Sequence, residues 1–338
     1  MHHPLRLRCD VAALASNYRM LRSLSGTFTG AAVKADAYGL GAPAVVRRLQ
    51  AEGCQDFFVS TWWEAAELAF VPENSLAVLH GLSANDEPRP GVRPVLNSPD
   101  QVGRWKESSR AHLPCDIMID TGMNRLGLRL SELSCASGLN LHTLHSHLAC
   151  ADEDHPLNAL QLQCFLEARA MLPAQRYSLA NSAGIFLGRE YAFDLVRPGL
   201  ALYGGVPRPE ARNQIARVAV PQAQVIQVRA VPAGESIGYN ATFVAPTHMK
   251  VAILNIGYAD GYWRALARKG AYFQDQPLQI VGRISMDLIA IDVTAVASLK
   301  DGDWVDLDFN LEQLASESGM SQYELLTGLG RRFERYWS

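Results

Sequence analysis

The sequence lacks the marks of secreted, membrane-spanning and nucleic-acid-binding proteins. Its six cysteines contain no Cys-x-x-Cys pair, which fits neither a zinc ribbon nor a disulfide framework. No apolar run approaches the roughly 20 residues that span a bilayer, and the first residues lack the apolar core of a secretion signal. Lys and Arg total 31 against 34 Asp and Glu, so the near-neutral charge argues against nucleic acid or an acidic membrane as the main partner. We therefore expect a soluble, uncleaved protein of the cytoplasm.

Short apolar runs alternate with stretches of helical period over much of the chain. The eight apolar runs are 31–34, 56–60, 75–80, 92–96, 115–120, 140–147, 176–180 and 193–197. Helical spacing covers 42–51, 62–70, 99–107 and 158–172, and a further helix over 10–24 is capped by Asp10. Eight βα units in a row predict an α/β fold, a (β/α)8 TIM-like barrel over residues 10–215.

The composition changes after residue 215. Runs rich in Val and Ile, separated by Gly, Pro or Asp turns, cover 216–231, 249–256, 277–293 and 304–309. This pattern predicts a mainly β C-terminal domain over residues 216–338, and a length of 338 residues suits two domains. The alternating sequence from Leu5 to Arg8 indicates a strand, so we expect residues 1–9 to join this domain.

Polar side chains follow several predicted barrel strands, at the end where TIM-barrel active sites form. They are Lys34, Asp36, Tyr38, Arg125, His145, His147, Asn181, Ser182 and Arg197. Lys34 directly follows an Ala-Ala-Val run, and an amine in an apolar mouth near other cations has a lowered pKa, as a Schiff-base lysine requires. Taken alone, Lys34 fits a partly buried surface lysine better.

Eight stretches of the sequence resemble the alanine racemases, pyridoxal-phosphate enzymes built from a barrel and a β domain. They read VKADAYGLG (33–41), DTGMNRLG (120–127), SHLACADE (146–153), ANSA (180–183), VRPGLALYG (196–204), GY (238–239), GYADG (257–261) and VGRISMD (281–287). Each stretch alone is a weak signal. Because they follow the family's order nearly from end to end, the chain is identified as a member of that family.

The resemblance implies that pyridoxal 5'-phosphate binds at the barrel mouth. Lys34 would hold the aldehyde carbon of the cofactor, and Arg197 would face its pyridine nitrogen. The remaining cofactor-binding residues, mostly around the phosphate, would be Tyr38, Asn181, Ser182, Gly199, Leu200 and Tyr323. Ser182 is also a candidate helix cap, and the two roles are compatible. For Arg197 the alternative is a salt bridge to Asp194.

Racemisation needs an acid or base on each face of the substrate carbon. The resemblance implies Lys34 for one face and Tyr239 for the other. The phenol has an ordinary pKa of about 10, so it needs positive neighbours, which by resemblance are His147 and Arg197. An arginine does not give its proton to a pyridine, so the ring nitrogen stays unprotonated and prompt reprotonation is favoured over transamination. Without the other motifs, Tyr239 would be a turn tyrosine after Gly238.

The resemblance also implies that each site is built from two chains. Tyr239, Met286 and Asp287 would reach the barrel of a second copy, so we expect a head-to-tail homodimer. Arg125 would orient the substrate carboxylate and the phenolic oxygen of the cofactor. Met286, Asp287 and Tyr258 would complete the substrate site, with Tyr258 lining the entry.

The sequence departs from the family at one position. Many members carry a carbamylated lysine seven residues before the arginine equivalent to Arg125, and this chain has Met118 there. A thioether cannot form a carbamate. Either another polar group or an anion orients Arg125, or the arginine is held more loosely.

The pair His145-x-His147, with Cys150 and His155 downstream, has a spacing found among zinc ligands. In a strand the two histidines point to the same face, and the resemblance already employs His147 beside the cofactor. We therefore expect no metal.

These features predict a cytoplasmic alanine racemase, an isomerase of D-alanine biosynthesis. Alanine is the expected substrate because bulky Tyr258, Met286 and Tyr323 would crowd a larger substrate side chain. A racemase of serine or another small amino acid is the first alternative. A decarboxylase or lyase is a weaker one, because the glycine run and late Cys-Glu pair of those relatives are missing. A non-catalytic pyridoxal-phosphate carrier would not need the β domain.

Overall fold

The structure is a computed structural model that describes residues 3–267 and 270–338. In chain order the strands are β1 (Leu5–Cys9), β2 (Phe28–Thr29), β3 (Ala31–Ala32), β4 (Phe57–Val59), β5 (Leu76–Val78), β6 (Val92–Leu96), β7 (Cys115–Met118), β8 (Leu141–His145), β9 (Arg176–Ser178), β10 (Leu195–Val196), β11 (Ala219–Val231), β12 (Ser236–Ile237), β13 (Phe243–Val244), β14 (Met249–Leu254), β15 (Gly270–Phe273), β16 (Gln276–Val281), β17 (Ile289–Asp292), β18 (Trp304–Leu307) and β19 (Glu334–Trp337).

The helices are α1 (Val11–Ser25), α2 (Lys34–Tyr38), α3 (Ala42–Ala51), α4 (Trp62–Glu67), α5 (Pro99–Glu107), α6 (Pro156–Met171), α7 (Leu311–Ser318) and α8 (Gln322–Thr327). Short 3-10 helices cover Leu130–Ala136, Gly184–Phe186, Arg189–Tyr191, Leu200–Tyr203, Pro209–Ala211, Tyr239–Ala241, Tyr258–Asp260 and Arg264–Leu266. The chain divides into two compact units. Ala12–Ala216 forms the first, and the residues up to Val11 together with Arg217–Ser338 form the second.

The first unit contains a closed parallel barrel. Strands β3 to β9 form one sheet in sequential order, with every pair parallel. Strand β10 pairs in parallel with β2, which continues as β3 after Gly30. Backbone hydrogen bonds from Asp194 N to Tyr177 O (3.1 Å) and from Gly30 N to Val196 O (2.9 Å) join β10 to its neighbours on both sides. With β2 and β3 counted as one broken strand, eight strands close on themselves, which confirms the predicted TIM-like barrel.

The apolar pattern explains where the barrel elements lie. Helices α3 and α5 have the predicted bounds, because each buries one apolar face at helical spacing. The buried residues include Val45, Val46 and Leu49 in α3, and Val102 and Trp105 in α5. All eight predicted strands are present, but most are shorter than predicted. Lys34 and His147 therefore lie beyond the ends of β3 and β8, in the segments that leave the barrel.

The second unit is mainly β, as predicted. Its large sheet has the order β14-β17-β16-β15-β18-β11-β1-β19, and β14 also pairs with β11. The long β11 has a register shift between Val225 and Gln227, so one half pairs with β18 and the other with β14. Six strands therefore close into a second, antiparallel barrel. Strand β1 pairs antiparallel with β11, so the alternating N-terminal run lies in this unit.

The run predicted at 277–293 contains two strands, β16 and β17, separated by the loop 282–288. Gly282 begins this loop with a φ of 73°, and a Cβ there would lie 2.7 Å from the carbonyl oxygen of Ile237. A glycine is therefore required where the chain leaves β16. Helices α7 and α8 were missed, although Asn310 and Ser321 cap them with their side chains.

A charged group is buried among the strands of the first barrel. Asp116 on β7 accepts hydrogen bonds from Arg93 Nε at 3.1 Å and from His145 Nε2 at 3.2 Å. Burial alone would raise the pKa of the Asp116 carboxyl, but Arg93, His142 and His145 hold it well below its ordinary value. Burial lowers the pKa of His145 to about 4, against the influence of Asp116. His145 thus belongs to this buried group, which corrects its expected place at the barrel mouth.

Acid should destabilise the barrel through His145. Folding lowers its pKa from 6.5 to about 4, so on acidification the unfolded chain takes up a proton before the folded chain does. We expect this group to remove about 2 kcal/mol of the free energy of unfolding between pH 7 and pH 5. Urea unfolding of wild type and of His145→Gln, at one chain concentration and both pH values, should show a smaller loss for the variant. Equal losses would contradict the assignment.

Candidate active site

Lys34 begins α2, which is a strained left-handed turn of backbone and not a regular α-helix. The three residues that follow Lys34 have φ of 51°, 54° and 52°, in the left-handed region. Residues with a side chain adopt this region at a cost of roughly 1–2 kcal/mol each, and such strain clusters at functional sites. The carboxylate of Glu64 offsets part of the cost, because it accepts hydrogen bonds from Ala35 N at 2.7 Å and Ser60 N at 2.6 Å.

The pKa of the Lys34 amine is lowered from its ordinary value. Burial is the main cause, Arg125 and Arg197 lower it further, and Glu64 acts in the opposite direction. At any given pH, more of this amine is neutral than of a solvated lysine. The neutral amine is the form that attacks a carbonyl carbon. The electrostatics therefore favour a Schiff-base lysine over an ordinary surface lysine.

Arg197 lies just after β10 and is buried, with 6% of its surface exposed. It donates hydrogen bonds to the hydroxyl of Ser178 and to the carbonyl oxygen of Ser146. The alternative pairing with Asp194 is not the arrangement found, because that carboxylate accepts a hydrogen bond from Tyr177 N at 2.9 Å. Burial lowers the pKa of Arg197 to about 10, which still leaves it a cation at neutral pH.

His147 lies two residues beyond the end of β8, close enough to the cations at the barrel rim for their charges to lower its pKa. Burial lowers its pKa to about 3, and Arg197, Arg125 and Lys34 contribute in the same direction. The imidazole is therefore neutral at neutral pH. A neutral imidazole can accept a hydrogen bond on one nitrogen and donate one from the other.

Tyr38, Ser182 and Gly199 form a cradle of hydrogen-bonding groups at the end of β3, where a Cβ at position 199 would lie 3.3 Å from the Ala32 Cβ. The Ser182 hydroxyl accepts hydrogen bonds from Gly199 N at 2.9 Å and Ala201 N at 3.2 Å. A Cβ at position 199 would lie 2.4 Å from the Tyr38 hydroxyl oxygen, so glycine alone permits this approach. Two hydroxyls beside backbone N–H groups are the donor set that phosphate sites use, so these residues fit a phosphorylated cofactor.

The two roles expected of Ser182, helix capping and cofactor binding, fall to different residues of this region. The helix-capping role belongs to Asn181, whose side-chain oxygen accepts a hydrogen bond from Gly184 N at 2.9 Å. Leu200 begins a 3-10 helix directly after Gly199. Ser182 itself binds backbone amides of that segment and joins the cradle.

Arg125 is exposed at the tip of the loop 120–127. The ends of this loop are tied together, because Leu128 N donates to Met118 O at 2.8 Å and Asp120 N donates to Leu128 O at 3.0 Å. Inside it, the Asp120 carboxylate accepts hydrogen bonds from Gly122 N and Asn124 N, both at 3.0 Å. The loop backbone therefore fixes the point from which the Arg125 side chain extends.

Met118 does not supply a polar support for the arginine. Its side chain is buried in an apolar cluster inside the barrel. The other members of this cluster are Phe58, Ala77, Val95, Leu195 and Leu79.

Five expected site residues lie in the second unit. Tyr239 is 66% exposed and sits in a segment with positive φ at Gly238 and Asn240. Tyr258 lies in a 3-10 turn, Met286 and Asp287 lie on the loop 282–288, and Tyr323 lies on α8. Backbone hydrogen bonds connect the Tyr258 turn to the Met286 loop.

Candidate metal ligands occur at the start of α6. Single ligand atoms of Cys150, Glu153 and His155 lie within 4.8 Å of one another. The His155 Nδ1 atom already accepts a hydrogen bond from Leu157 N at 3.1 Å, where it caps the helix. Because an imidazole that accepts there carries its proton on the other nitrogen, we assign no metal to this cluster. The absence of a metal stays a prediction.

Two acidic residues were missed in the sequence, Glu64 near the rim and Asp116 among the barrel strands. Glu64 completes a capping box with Thr61 at the start of α4, a pattern that the sequence shows, but its bond to Ala35 is a long-range contact. Asp116 gave no signal, because a single acid in an apolar strand resembles many others.

Within the part of the chain that the structure describes, no helix is long and apolar enough to cross a membrane.

Comparison with known proteins gives one consistent result. The family model of the alanine racemase N-terminal domain matches residues 9–207, and that of the C-terminal domain matches residues 218–337. The chain is 40% identical to a catabolic alanine racemase from Agrobacterium fabrum, over 97% of this chain and 91% of that protein. It is 40% identical to an alanine racemase from Brucella abortus, over 98% of this chain and 93% of that protein. A crystal structure of alanine racemase from Bartonella henselae with covalently bound pyridoxal phosphate is 37% identical, covers 100% of both chains and has a TM-score of 0.89.

The lowered pKa of Lys34 predicts selective labelling. In protein freed of any bound aldehyde, mild reductive methylation near neutral pH should modify Lys34 before Lys106, Lys250 and Lys300, because more of its amine is unprotonated. Peptide mass spectrometry over a time course measures the order. Labelling of Lys106, Lys250 and Lys300 before Lys34 would show that its amine is not activated.

Proposed function

The chain belongs to the alanine racemase family, and from this premise we propose that it interconverts L- and D-alanine with pyridoxal phosphate held at Lys34. One observation carries the proposal. A half-buried amine with a lowered pKa stands at the rim of a TIM-like barrel, where the charges of Arg125 and Arg197 add to the effect of burial, and a cradle suited to phosphate lies against the end of the same strand. The motif order and the family matches point to the same chemistry.

When bound, pyridoxal phosphate withdraws electrons from the substrate Cα and makes its proton acidic. Lys34 would hold the cofactor through its aldehyde carbon. With substrate bound, the free Lys34 Nζ would accept the Cα proton on one face of the substrate. Its lowered pKa suits both tasks, since each requires the neutral amine.

Tyr239 is proposed as the acid and base on the opposite face. A single group would return the proton to the side it left, so inversion needs a second group. Its side chain is 66% exposed within this chain, which leaves the phenol available to a second copy. Arg197 is proposed to favour the ionised form of Tyr239 through its charge, and His147, which is neutral here and not the expected cation, by donating a hydrogen bond.

Arg197 is proposed to face the pyridine nitrogen. Even with a pKa lowered to about 10, the guanidinium keeps its proton at neutral pH and donates a hydrogen bond without transferring the proton. Facing Arg197, the ring nitrogen of a bound cofactor would stay unprotonated and would delocalise less of the electron pair left at Cα. Such a site would favour prompt return of a proton to Cα over transamination.

The other contacts are proposed by position in the family motifs. Tyr38, Asn181, Ser182, Gly199, Leu200 and Tyr323 hold the cofactor, chiefly its phosphate. Arg125 binds the substrate carboxylate, for which a guanidinium fork is suited. Met286, Asp287 and Tyr258 complete the substrate site and leave room for a small side chain such as that of alanine.

We further propose a head-to-tail homodimer in the cytoplasm that supplies D-alanine for biosynthesis. The second unit exposes Tyr239 (66%), Met286 (53%) and Leu288 (40%), a set of apolar side chains that an interface would cover. All six cysteines are free thiols, which is usual in a reducing compartment. Neither a nucleic acid nor a membrane is proposed as a partner.

Two variants test the division of labour between Lys34 and Tyr239. The purified protein should racemise L- and D-alanine in deuterated water with deuterium appearing at Cα. Lys34→Ala should lose the visible absorbance of the bound cofactor. Tyr239→Phe should keep that absorbance and lose conversion in at least one direction. Full two-way racemisation by Tyr239→Phe would refute the two-base scheme, and preference for serine over alanine would change the substrate.

Complementation tests whether each site uses two chains. Lys34→Ala and Tyr239→Phe are each expected to be inactive, but a mixed dimer would contain one intact site. Random reassociation should therefore restore about a quarter of wild-type activity. The matched control mixes Lys34→Ala with a Lys34→Ala, Tyr239→Phe double variant, which has no intact site in any dimer. No recovery above this control would contradict the shared site.

A further inference from the structure

Three segments of the second unit meet around one buried carboxylate. The first is the Tyr258–Asp260 turn, and the second is the loop 282–288, which carries Met286 and Asp287. The third is the connection 328–333 that leads from α8 to β19. Two of these segments carry residues proposed above to contact substrate. Whatever holds the segments together therefore sets the shape of that part of the site.

Backbone contacts bring the first two segments together. Tyr258 N donates to Ser285 O, and Ala259 N donates to Met286 O, both at 3.0 Å. A Cβ at Gly257 would lie 2.3 Å from Met286 O, so a residue with a side chain would push the segments apart. The contact is close, but it rests on two hydrogen bonds.

Arg332 adds a charged connection to both segments. Its Nε donates to Asp260 Oδ1 at 2.7 Å, and its Nη1 donates to Asp287 Oδ1 at 2.8 Å. Asp260 is 2% exposed, and its other oxygen accepts a hydrogen bond from Gly257 N at 3.0 Å. The third segment is fixed to the same residue, since Gly330 N donates to Asp260 O at 3.0 Å.

The two ion pairs differ in strength. Asp287 and Arg332 are each about half exposed, so their pair alone is worth little. The pair with Asp260 is different, because removing one partner leaves a buried carboxylate with less compensation. Arg332 is therefore anchored at Asp260 and from there holds Asp287. Its planar fork suits two carboxylates at once, which an ammonium group does not match.

We propose that Arg332 is a positioning residue for racemisation, which sets the Met286–Asp287 loop against the Tyr258 turn and neutralises Asp287 beside the bound substrate carboxylate. This inference rests on the proposed function. An unpaired Asp287 would repel the negative carboxylate of the amino acid. The loss of Arg332 should therefore weaken substrate binding more than it slows the bound substrate.

The test compares holoenzyme variants. Arg332→Ala should lower kcat/KM for both alanine enantiomers by about tenfold to a hundredfold, mainly through KM, because a displaced contact surface has effects of that size. Cofactor content, visible absorbance and dimer mass should match the wild type, since Lys34 lies in the other unit. Arg331→Ala is the matched control, because this neighbouring arginine is exposed, and its kinetics should not change. Arg332→Lys should fall between wild type and Arg332→Ala.

A second variant shows whether Arg332 acts through Asp287. Asp287→Asn removes the charge that Arg332 neutralises, so adding it to Arg332→Ala should cost less than the two single effects combined. Fully additive effects would overturn the inference, as would wild-type KM in Arg332→Ala. A loss of activity that follows loss of cofactor or of the dimer would also overturn it. If the wild type does not racemise alanine, the proposed function fails and the inference fails with it. If the wild type racemises alanine but Arg332→Ala leaves the kinetics unchanged, only the inference fails and the proposed function stands.

Discussion

Burial of the Lys34 amine, reinforced by repulsion from nearby arginines, determines the chemistry of this site. Arg125 and Arg197 lie near enough for each to lower the pKa of the lysine further. An arginine does not release its proton near neutral pH, so the lysine is the member of the group whose protonated form is disfavoured. His147 responds likewise and stays neutral with a pKa of about 3. The rim therefore offers a nucleophilic amine beside a permanent cation.

That arrangement depends on which hydrogen bonds the acidic side chains of the barrel already accept. Asp116 is fully buried, but Arg93 and His145 occupy it. Glu64 is the nearest acid that raises the pKa of Lys34, and its oxygens are engaged by the amides of Ala35 and Ser60. Because both carboxylates are committed to structural hydrogen bonds, neither is left to form a full ion pair with Lys34. The backbone amides that bind Glu64 and stabilise the strained turn thus also keep this carboxylate from forming a full ion pair with the Lys34 amine.

The sequence predicted those features that depend on local pattern. The bounds of α3 and α5 follow from apolar spacing that any packed helix needs, and the barrel followed from the number of alternating runs. The left-handed turn after Lys34 was not predictable, because Ala-Asp-Ala-Tyr has no glycine to suggest it and its stability comes from Glu64, far along the chain. His145 was misplaced for a similar reason, since its partner Asp116 lies on the neighbouring strand. Long-range polar contacts leave little trace in a single sequence.

Met118 shows how a departure from the family pattern is absorbed. A charged support for Arg125 has been replaced by a thioether that fills an apolar cluster with Phe58 and Leu195. The task then falls to the backbone of the loop 120–127, whose ends pair through Leu128 and whose interior is organised by Asp120. Gly127 has a φ of 122°, and a Cβ there would lie 2.5 Å from Asp120 N, so the closure of this loop requires glycine. A backbone support fixes where the Arg125 side chain begins but not where its guanidinium ends, so in the proposed role of Arg125 the bound carboxylate would complete the orientation.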